Sequence, residues 1–439
     1  MGLAYIAYDT ILQVFVGWHS WRLLRPRSAT VEAGPRCTVA VVVAAHNEAA
    51  VLPATIAALL AQSDAADEIV IADDGSTDAT AALLAAQHGL APPRLGTTSG
   101  PSALVPALVW LRLGHGGKAR ALNAALLHIR ADIVLTVDGD TLLDPGAIAA
   151  VRRAFSAEPA LAGISGVITP VCKPTLAGRC LEWFQTYECI RNFLSRYAWM
   201  RLDSLLLISG AFAGFRRAAL LEVGGFDPAS LVEDYELIHR LRRHAVEQGI
   251  DWRFRVLGDA QARTEAPGSV GAFLRQRRRW FGGFLQTQYW YRAMVGDRRL
   301  GWLGVLMLLV KAIDTLQPLY GLTAFALLVV FAATGRLAIV VPVAFVIGAK
   351  IAIDLAFHLW SVHLYRRWVG DAERASFAAA LVAAVAEPFT FQILRHTGAL
   401  LGWVSFLSGE RRWGRQTRFG LDVDEVAAVP GNDAPDRLR

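Results

Sequence analysis

Five short groups of residues could do chemistry together in this chain. Asp73-Asp74-Gly75-Ser76 puts two carboxylates at the end of an apolar run. There they can accept from the N–H of a base and the hydroxyls of a ribose. Gly116-Gly117-Lys118-Ala119-Arg120 opens a helical pattern. Glycines leave backbone N–H groups accessible, and a helix N-terminus favours anions. Lysine occurs only at 118, 173, 311 and 350, so a lysine at this glycine-rich bend points to a use for its charge more than to a filler. The glycine spacing of a P-loop is absent. Asp138-Gly139-Asp140 sets two carboxylates around a small residue, which suits Mg²⁺ or Mn²⁺ bridging phosphate oxygens. Val232-Glu233-Asp234-Tyr235 offers another carboxylate pair. Transfer to a hydroxyl needs a base near the acceptor, and Asp234 is the candidate. Last comes Gln276-Arg277-Arg278-Arg279-Trp280. On a helix Gln276, Arg279 and Trp280 share a face, presenting an amide, a phosphate-binding guanidinium and a flat indole. Arg277 and Arg278 then face lipid head groups or solvent.

Taken singly, each group also has an ordinary structural reading. Asp74-Gly75 can be a turn with Ser76 or Thr77 capping the next helix. Asp138-Gly139-Asp140 can be a polar turn ahead of Asp144-Pro145. Glu233 and Asp234 can be the acidic first turn of a helix. The arginines can be a basic face beside lipid head groups. Ser209-Gly210-Ala211-Phe212 can shape an acceptor pocket or end a packed strand.

The elements that must position these groups alternate. Residues 38–45 (TVAVVVAA) form a buried-strand pattern, followed by a helix near 49–61. Glu68–Ala72 is a second strand and Thr77–His88 a helix. Ala107–Leu113, then a helix over Lys118–Ile129, then Ile133–Val137 continue the series. Strand–helix alternation implies a parallel sheet covered on both faces, with chemistry at the strands' carboxyl ends. Residues 91–106, rich in Pro, Gly, Ser and Thr, read as a loop. Residues 180–201 and 273–292 read as amphipathic helices at a domain or membrane surface.

Composition places the chain at a membrane. It has 439 residues, 54% hydrophobic and 19% charged, with a mean hydropathy of +0.36. The net charge of +6 does not point to nucleic acid, because its arginines sit beside apolar segments: Arg22, Arg25 and Arg27; Arg275 to Arg279; Arg366 and Arg367; Arg411, Arg412, Arg415 and Arg418. That is the pattern of cytoplasmic flanks of membrane helices. Four cysteines without metal-like spacing fit a reduced, cytosol-facing catalytic part. Leu3–Leu24 reads as an anchor with its C-terminal end inside, or as an amphipathic surface helix. Residues 302–334, 337–363 and 375–407 are each long enough to cross about 30 Å of hydrocarbon. Glu387, Pro388, Arg395 and His396 interrupt the third, so it either re-enters or spans. The expected organisation is an anchor over 1–27, a catalytic domain over 37–270, an interfacial helix over 271–300, membrane helices over 301–408 and a basic tail over 409–439.

In this order the groups resemble the membrane-embedded family 2 inverting glycosyltransferases: poly-N-acetylglucosamine, hyaluronan, chitin-oligosaccharide and cellulose synthases. Ala45-His46-Asn47-Glu48, Ala121-Leu122-Asn123, Gly225-Phe226-Asp227 and Thr264-Glu265-Ala266-Pro267 are further matching words. The resemblance covers residues 37 to 300 and, more loosely, the membrane part. It implies an α/β fold, a GT-A Rossmann-like parallel-sheet domain beside transmembrane and interfacial α-helices. Asp74, with Asp73, would contact the uridine, and Lys118 would sit near the nucleotide. Asp138, with Glu233 nearby, would assist the donor, and Asp140 with Asp138 would ligate Mg²⁺ or Mn²⁺. Asp234 would take the acceptor proton; Gln276, Arg279 and Trp280 would bind the diphosphate and the acceptor end. The donor implied is a UDP-sugar, UDP-N-acetylglucosamine ahead of UDP-glucose, and the acceptor a growing polysaccharide at the inner membrane, with an export subunit as a further expected partner. Single addition to a diacylglycerol or ceramide-like lipid is the alternative. A non-catalytic transporter or receptor is the remaining one. Many synthases of this branch have two N-terminal helices, and this sequence offers at most one.

Overall fold

A computed structural model describes residues 2–25, 34–370 and 375–409. The expected basic tail beyond residue 409 lies outside the described residues. The elements run α1 (Gly2–Ser20), β1 (Val39–Ala45), α2 (Leu52–Leu60), β2 (Glu68–Asp74), α3 (Thr80–His88), β3 (Thr97–Thr98), β4 (Leu108–Leu113), α4 (Lys118–Leu126), β5 (Ile133–Asp138), β6 (Thr141–Leu143) and α5 (Ala147–Ala157). Then follow β7 (Leu161–Val171), α6 (Leu176–Met200), β8 (Phe212–Arg216), α7 (Arg217–Glu222), α8 (Glu233–Gln248), β9 (Arg253–Glu265) and α9 (Val270–Trp290). The remaining helices are α10 (Leu308–Ala333), α11 (Leu337–Val369), α12 (Phe377–Ala386) and α13 (Phe391–Leu407).

The strands form one sheet in the order β3-β4-β2-β1-β5-β8-β7-β9-β6. The four strands read from the sequence, β4, β2, β1 and β5, pair in parallel. The valine-rich run of β1 is central because side chains on both of its faces meet apolar cover. Val39, Val41 and Val43 pack with Ile56 of α2 and Phe155 of α5, whereas Ala40 and Val42 pack with Leu122 and Ala125 of α4.

Beyond β5 the sheet departs from the expected parallel pattern. β8 runs antiparallel to β5 and to β7, and β6 runs antiparallel to β9. Only β7 and β9 are parallel to each other there. Their sequences lack clean alternation: β7 carries Gly163, Gly166 and Pro170, and two register irregularities break its pairing with β9. The expected loop at 91–106 also contains β3, which pairs antiparallel to β4 with Thr97 opposite Arg112.

Two described helical stretches, Leu303–Ala333 and Leu337–Val369, are long and apolar enough to cross a membrane. The third apolar stretch is broken at Pro388, where α12 with its short extension and α13 meet at a 49° bend. These apolar helices share a core with the sheet domain. Met307, Leu308, Val362, Tyr365 and Trp368 belong to the same buried cluster as Leu237 and Phe254.

Tight packing between β7 and β8 explains a glycine that sequence patterning leaves unexplained. A Cβ on Gly166 would lie 2.1 Å from Cδ1 of fully buried Phe212 and 3.0 Å from the Ala260 carbonyl. Gly166→Ala should therefore cost about 1–3 kcal/mol through overpacking. Its thermal unfolding midpoint in detergent should fall, and adding Phe212→Leu should restore part of the loss. An unchanged midpoint would contradict the packing.

Candidate active site

The site is assembled by turns at the carboxyl ends of the parallel strands. Asp73 and Asp74 close β2 and are both buried. Asp73 accepts from Ser76 N at 2.9 Å and from Trp110 Nε1 at 3.3 Å. Asp74 accepts from Gly116 N at 2.7 Å and Gly117 N at 2.8 Å, and His115 Nδ1 lies 2.9 Å away. The glycine bend before α4 is thus held against β2 by one carboxylate. Gly75, at φ +69°, admits this approach, since a Cβ there would sit 2.6 Å from His115 N.

That grip aims Lys118, the first residue of α4, into a cluster of acids. Its Nζ lies 2.5 Å from Asp138 Oδ1, 3.2 Å from Glu233 Oε1 and 3.3 Å from the Gly210 carbonyl. Asp234 is tied to the same loop, accepting from Gly210 N at 2.6 Å and from Tyr235 N at 2.8 Å. Lys118, Asp138, Glu233 and Asp234 are therefore brought together. Burial alone would push Lys118 down. Asp138, then Glu233 and Asp234, outweigh it and hold the ammonium well above the ordinary lysine range. Burial pushes the Asp234 carboxyl up, Glu233 reinforces this, and Lys118 opposes it, leaving it at about 6 against 3.8 for a free side chain. A raised carboxyl pKa means that folding favours the protonated form. This group's contribution to stability is present below about 3.8 and is lost as pH rises through about 6.

Asp140 is 3% exposed, and Thr264 Oγ1 donates to its Oδ1 at 3.4 Å. Glu48 packs against Gly139, with a Cβ there falling 3.1 Å from Glu48 Cγ. Asp138 and Asp140 offer a hard, all-oxygen donor set that fits Mg²⁺ or Mn²⁺. A second group, His46, Asp74 and His115, has ligand atoms within 4.8 Å of one another, with the two imidazoles stacked at 4.2 Å. Its donors are mixed, and the Asp74 carboxylate is already held by two backbone N–H groups.

The words that carry the resemblance hold one another. Asn123 Nδ2 donates to the Phe226 carbonyl at 2.8 Å while its Oδ1 accepts from Phe226 N at 2.7 Å. This fixes the turn at Gly225, which leads to α8. Asn47, at φ +57°, accepts from Thr77 N at 2.7 Å and caps the turn after β2. Glu265 N donates to the Asp140 carbonyl at 3.2 Å.

Gln276, Arg279 and Trp280 lie on α9, which Ser269 caps by accepting from Ala272 N. Arg279 reaches the Leu231 carbonyl at 3.4 Å, two residues before Glu233. Gln276 Oε1 is buried without a partner among the described residues. Trp280 lines a cavity between α6, α9, α10 and α13. The expected outward course of Arg277 and Arg278 is corrected. Arg277 makes two bonds to Glu188 of α6, at 3.0 and 2.6 Å, and stacks over Trp280 at 4.7 Å. Arg278 donates to Ser405 of α13 at 2.5 Å. These two arginines lock α9 between α6 and α13. Glu188 gave no signal in the sequence that set it apart from Glu182, the other acid among the aromatics of α6.

Residues 40–224 match the glycosyl transferase family 2 model, and residues 133–347 match that of glycosyl transferase family group 2. Residues 40–347 thus carry glycosyltransferase family 2 sequence. This glycosyltransferase is 25% identical over 250 residues to a poly-β-1,6-N-acetyl-D-glucosamine synthase of Staphylococcus epidermidis, covering 56% of this chain and 54% of that protein. A synthase of the same name from Staphylococcus aureus is 25% identical over 243 residues, covering 55% and 53%. The chain thus matches about half the length of these relatives. A mannosyltransferase of Pyrobaculum calidifontis, solved with GDP-Man and Mn²⁺, shares the fold at a TM-score of 0.56 and 22% identity, covering 89% of this chain and 98% of that one.

The ammonium of Lys118 offsets repulsion among three carboxylates. Lys118→Met should cost about 3–5 kcal/mol, the penalty for stranding buried charge. Adding Glu233→Gln should recover part of it. Thermal unfolding of the three variants in detergent measures this, and additive losses would refute the coupling.

Proposed function

We propose that this glycosyltransferase moves a sugar from a nucleotide-diphosphate donor to an acceptor hydroxyl at a membrane surface, with inversion. The observation that carries the proposal is Asp234, a largely buried carboxylate poised at about 6 beside Lys118 and Glu233. A general base works best when its pKa lies near the operating pH. The acceptor oxygen attacks the anomeric carbon and forms the new C–O bond. The bond from that carbon to the diphosphate oxygen breaks, and the acceptor proton passes to Asp234. Arg279, and Gln276 beside it, serve the departing diphosphate, while Asp73 and Asp74 serve the nucleoside. Asp140 with Asp138 would hold Mg²⁺ or Mn²⁺, which supplies charge neutralisation of the diphosphate when bound.

By likeness to the staphylococcal poly-β-1,6-N-acetyl-D-glucosamine synthases, the sugar moved is N-acetylglucosamine and the acceptor a growing polysaccharide; UDP as the nucleotide and an export subunit as partner follow from the motif resemblance alone. The catalytic part lies on the cytoplasmic side of the inner membrane, because Arg366 and Arg367 end α11 and α9 itself carries Arg275 and Arg277 to Arg279. Single addition to a lipid is the second reading, favoured by a cavity that reaches in among the membrane helices.

Purified protein in lipid, given UDP-N-acetylglucosamine and Mn²⁺, should release UDP and yield a ladder of products by mass spectrometry. One glycolipid would select the second reading, and no turnover with any nucleotide sugar would overturn the proposal. Asp234→Asn should lose about 10²- to 10⁴-fold in rate while still binding donor. Because the base must be deprotonated, parental activity should rise with pH and level off above about 6. Turnover of Asp234→Asn at the parental rate would eliminate Asp234 as the base.

A further inference from the structure

A chain of contacts runs from the Trp280 indole to α6. Arg277, one turn earlier on α9, stacks over that indole at 4.7 Å and also stands over the Phe273 ring at 4.6 Å. Contacts of this kind are weak singly, and a guanidinium free to swing would not keep them. Glu188 of α6 stops it from swinging. Its carboxylate accepts from Arg277 Nη1 at 3.0 Å and from Nη2 at 2.6 Å. Two parallel bonds fix the plane of the guanidinium, and hence the plane it presents to the indole. Arg395 Nε of α13 lies 3.2 Å from the same carboxylate, so Glu188 is itself held from a third helix.

The ring so fixed borders a cavity of about 300 Å³, which also takes in Tyr235, the residue after Asp234. Trp280 is half-buried, and among the described residues its N–H has no protein acceptor. The α6 wall of the cavity is a stripe at helical spacing, Glu188, Asn192 and Ser195. Among the described residues the side chains of Asn192 and Ser195 also make no protein hydrogen bond. An indole platform beside a neutral amide and a hydroxyl suits a pyranose. The C–H face of the sugar stacks on the ring, and its hydroxyls exchange hydrogen bonds with the indole N–H, the amide and the serine.

We infer that Glu188 is a positioning residue for the acceptor: through Arg277 it fixes the Trp280 indole as the platform on which the acceptor sugar stacks. That the stacked sugar receives the transferred one rests on the transfer reading above; that a saccharide binds here does not.

Isothermal titration of the full chain in phosphatidylcholine nanodiscs, without nucleotide sugar, tests this. The probes are a β-1,6-linked N-acetylglucosamine tetrasaccharide and cellotetraose. At least one should bind the parent, and Trp280→Ala should weaken that binding by about tenfold. Glu188→Gln, which removes the charge and one of the two acceptor oxygens, should weaken it by a similar factor. In the Trp280→Ala background Glu188→Gln should then cost no more than about a further twofold, because both act on one platform. A parent that binds neither probe, an unaffected single variant, or additive losses would each overturn the inference. Should Glu188→Gln fail to fold, Arg277→Lys, which lacks the fork and the flat stacking face, replaces it in the same cycle. With UDP-N-acetylglucosamine and Mn²⁺ present, Glu188→Gln should raise the KM for the saccharide and leave that for the donor unchanged. Equal rises in both would also overturn it. Saccharide binding with the predicted coupling but no sugar transfer would defeat the transfer reading and leave this one standing. Transfer by the parent with additive losses would do the reverse.

Discussion

One ammonium group holds the catalytic face of this molecule together. Lys118 stands between Asp138 at the end of β5 and Glu233 at the start of α8, beside the loop at Gly210. Its charge offsets the mutual repulsion of Asp138, Glu233 and Asp234 in one partly buried place. The arrangement upstream exists to place it. Asp74 grips Gly116 and Gly117, so the end of β2 fixes where α4 begins. Asn123, further along α4, fixes the turn that leads to α8. Two strand ends and two helix starts are thereby locked by side-chain-to-backbone bonds and one ion cluster. The same cluster leaves Asp234 with a raised pKa, which is what a base working near neutrality requires.

The sheet domain and the apolar helices form one packed body, and α9 is the joint. On one side Arg279 reaches the loop leading to Glu233. On the other, Arg277 binds α6 and Arg278 binds α13. The close approach of α9 and α13 depends on glycines. A Cβ on Gly398 would fall 2.5 Å from Arg277 Cβ, and one on Gly402 would fall 2.7 Å from Phe281 Cβ. The arginine-rich group is therefore structural as well as a candidate binding group, with Arg277 and Arg278 in the structural part.

Much of this was legible in the sequence, for identifiable reasons. The runs TVAVVVAA, EIVIA and IVLTV are short, apolar and rich in β-branched residues, and they form the parallel strands. The acidic groups follow them directly, so their convergence at one sheet edge could be anticipated. The antiparallel half was not legible. β7 is interrupted by glycine and proline, and β9 mixes arginines with small residues, so neither shows a clean period of two. The direction of Arg277 was missed for another reason. Helical spacing says which residues share a face, but not that Glu188, 89 positions upstream in the sequence, would turn Arg277 inward.

Direct displacement with Asp234 as base makes a stereochemical demand that other assignments of these carboxylates do not share. With no covalent glycosyl-enzyme, the configuration at the transferred carbon must invert once. The anomeric configuration of the first-formed product from an α-linked UDP-sugar, read by proton NMR before any mutarotation, tests this most directly. The account predicts a β-linkage; an α-linked product would contradict it.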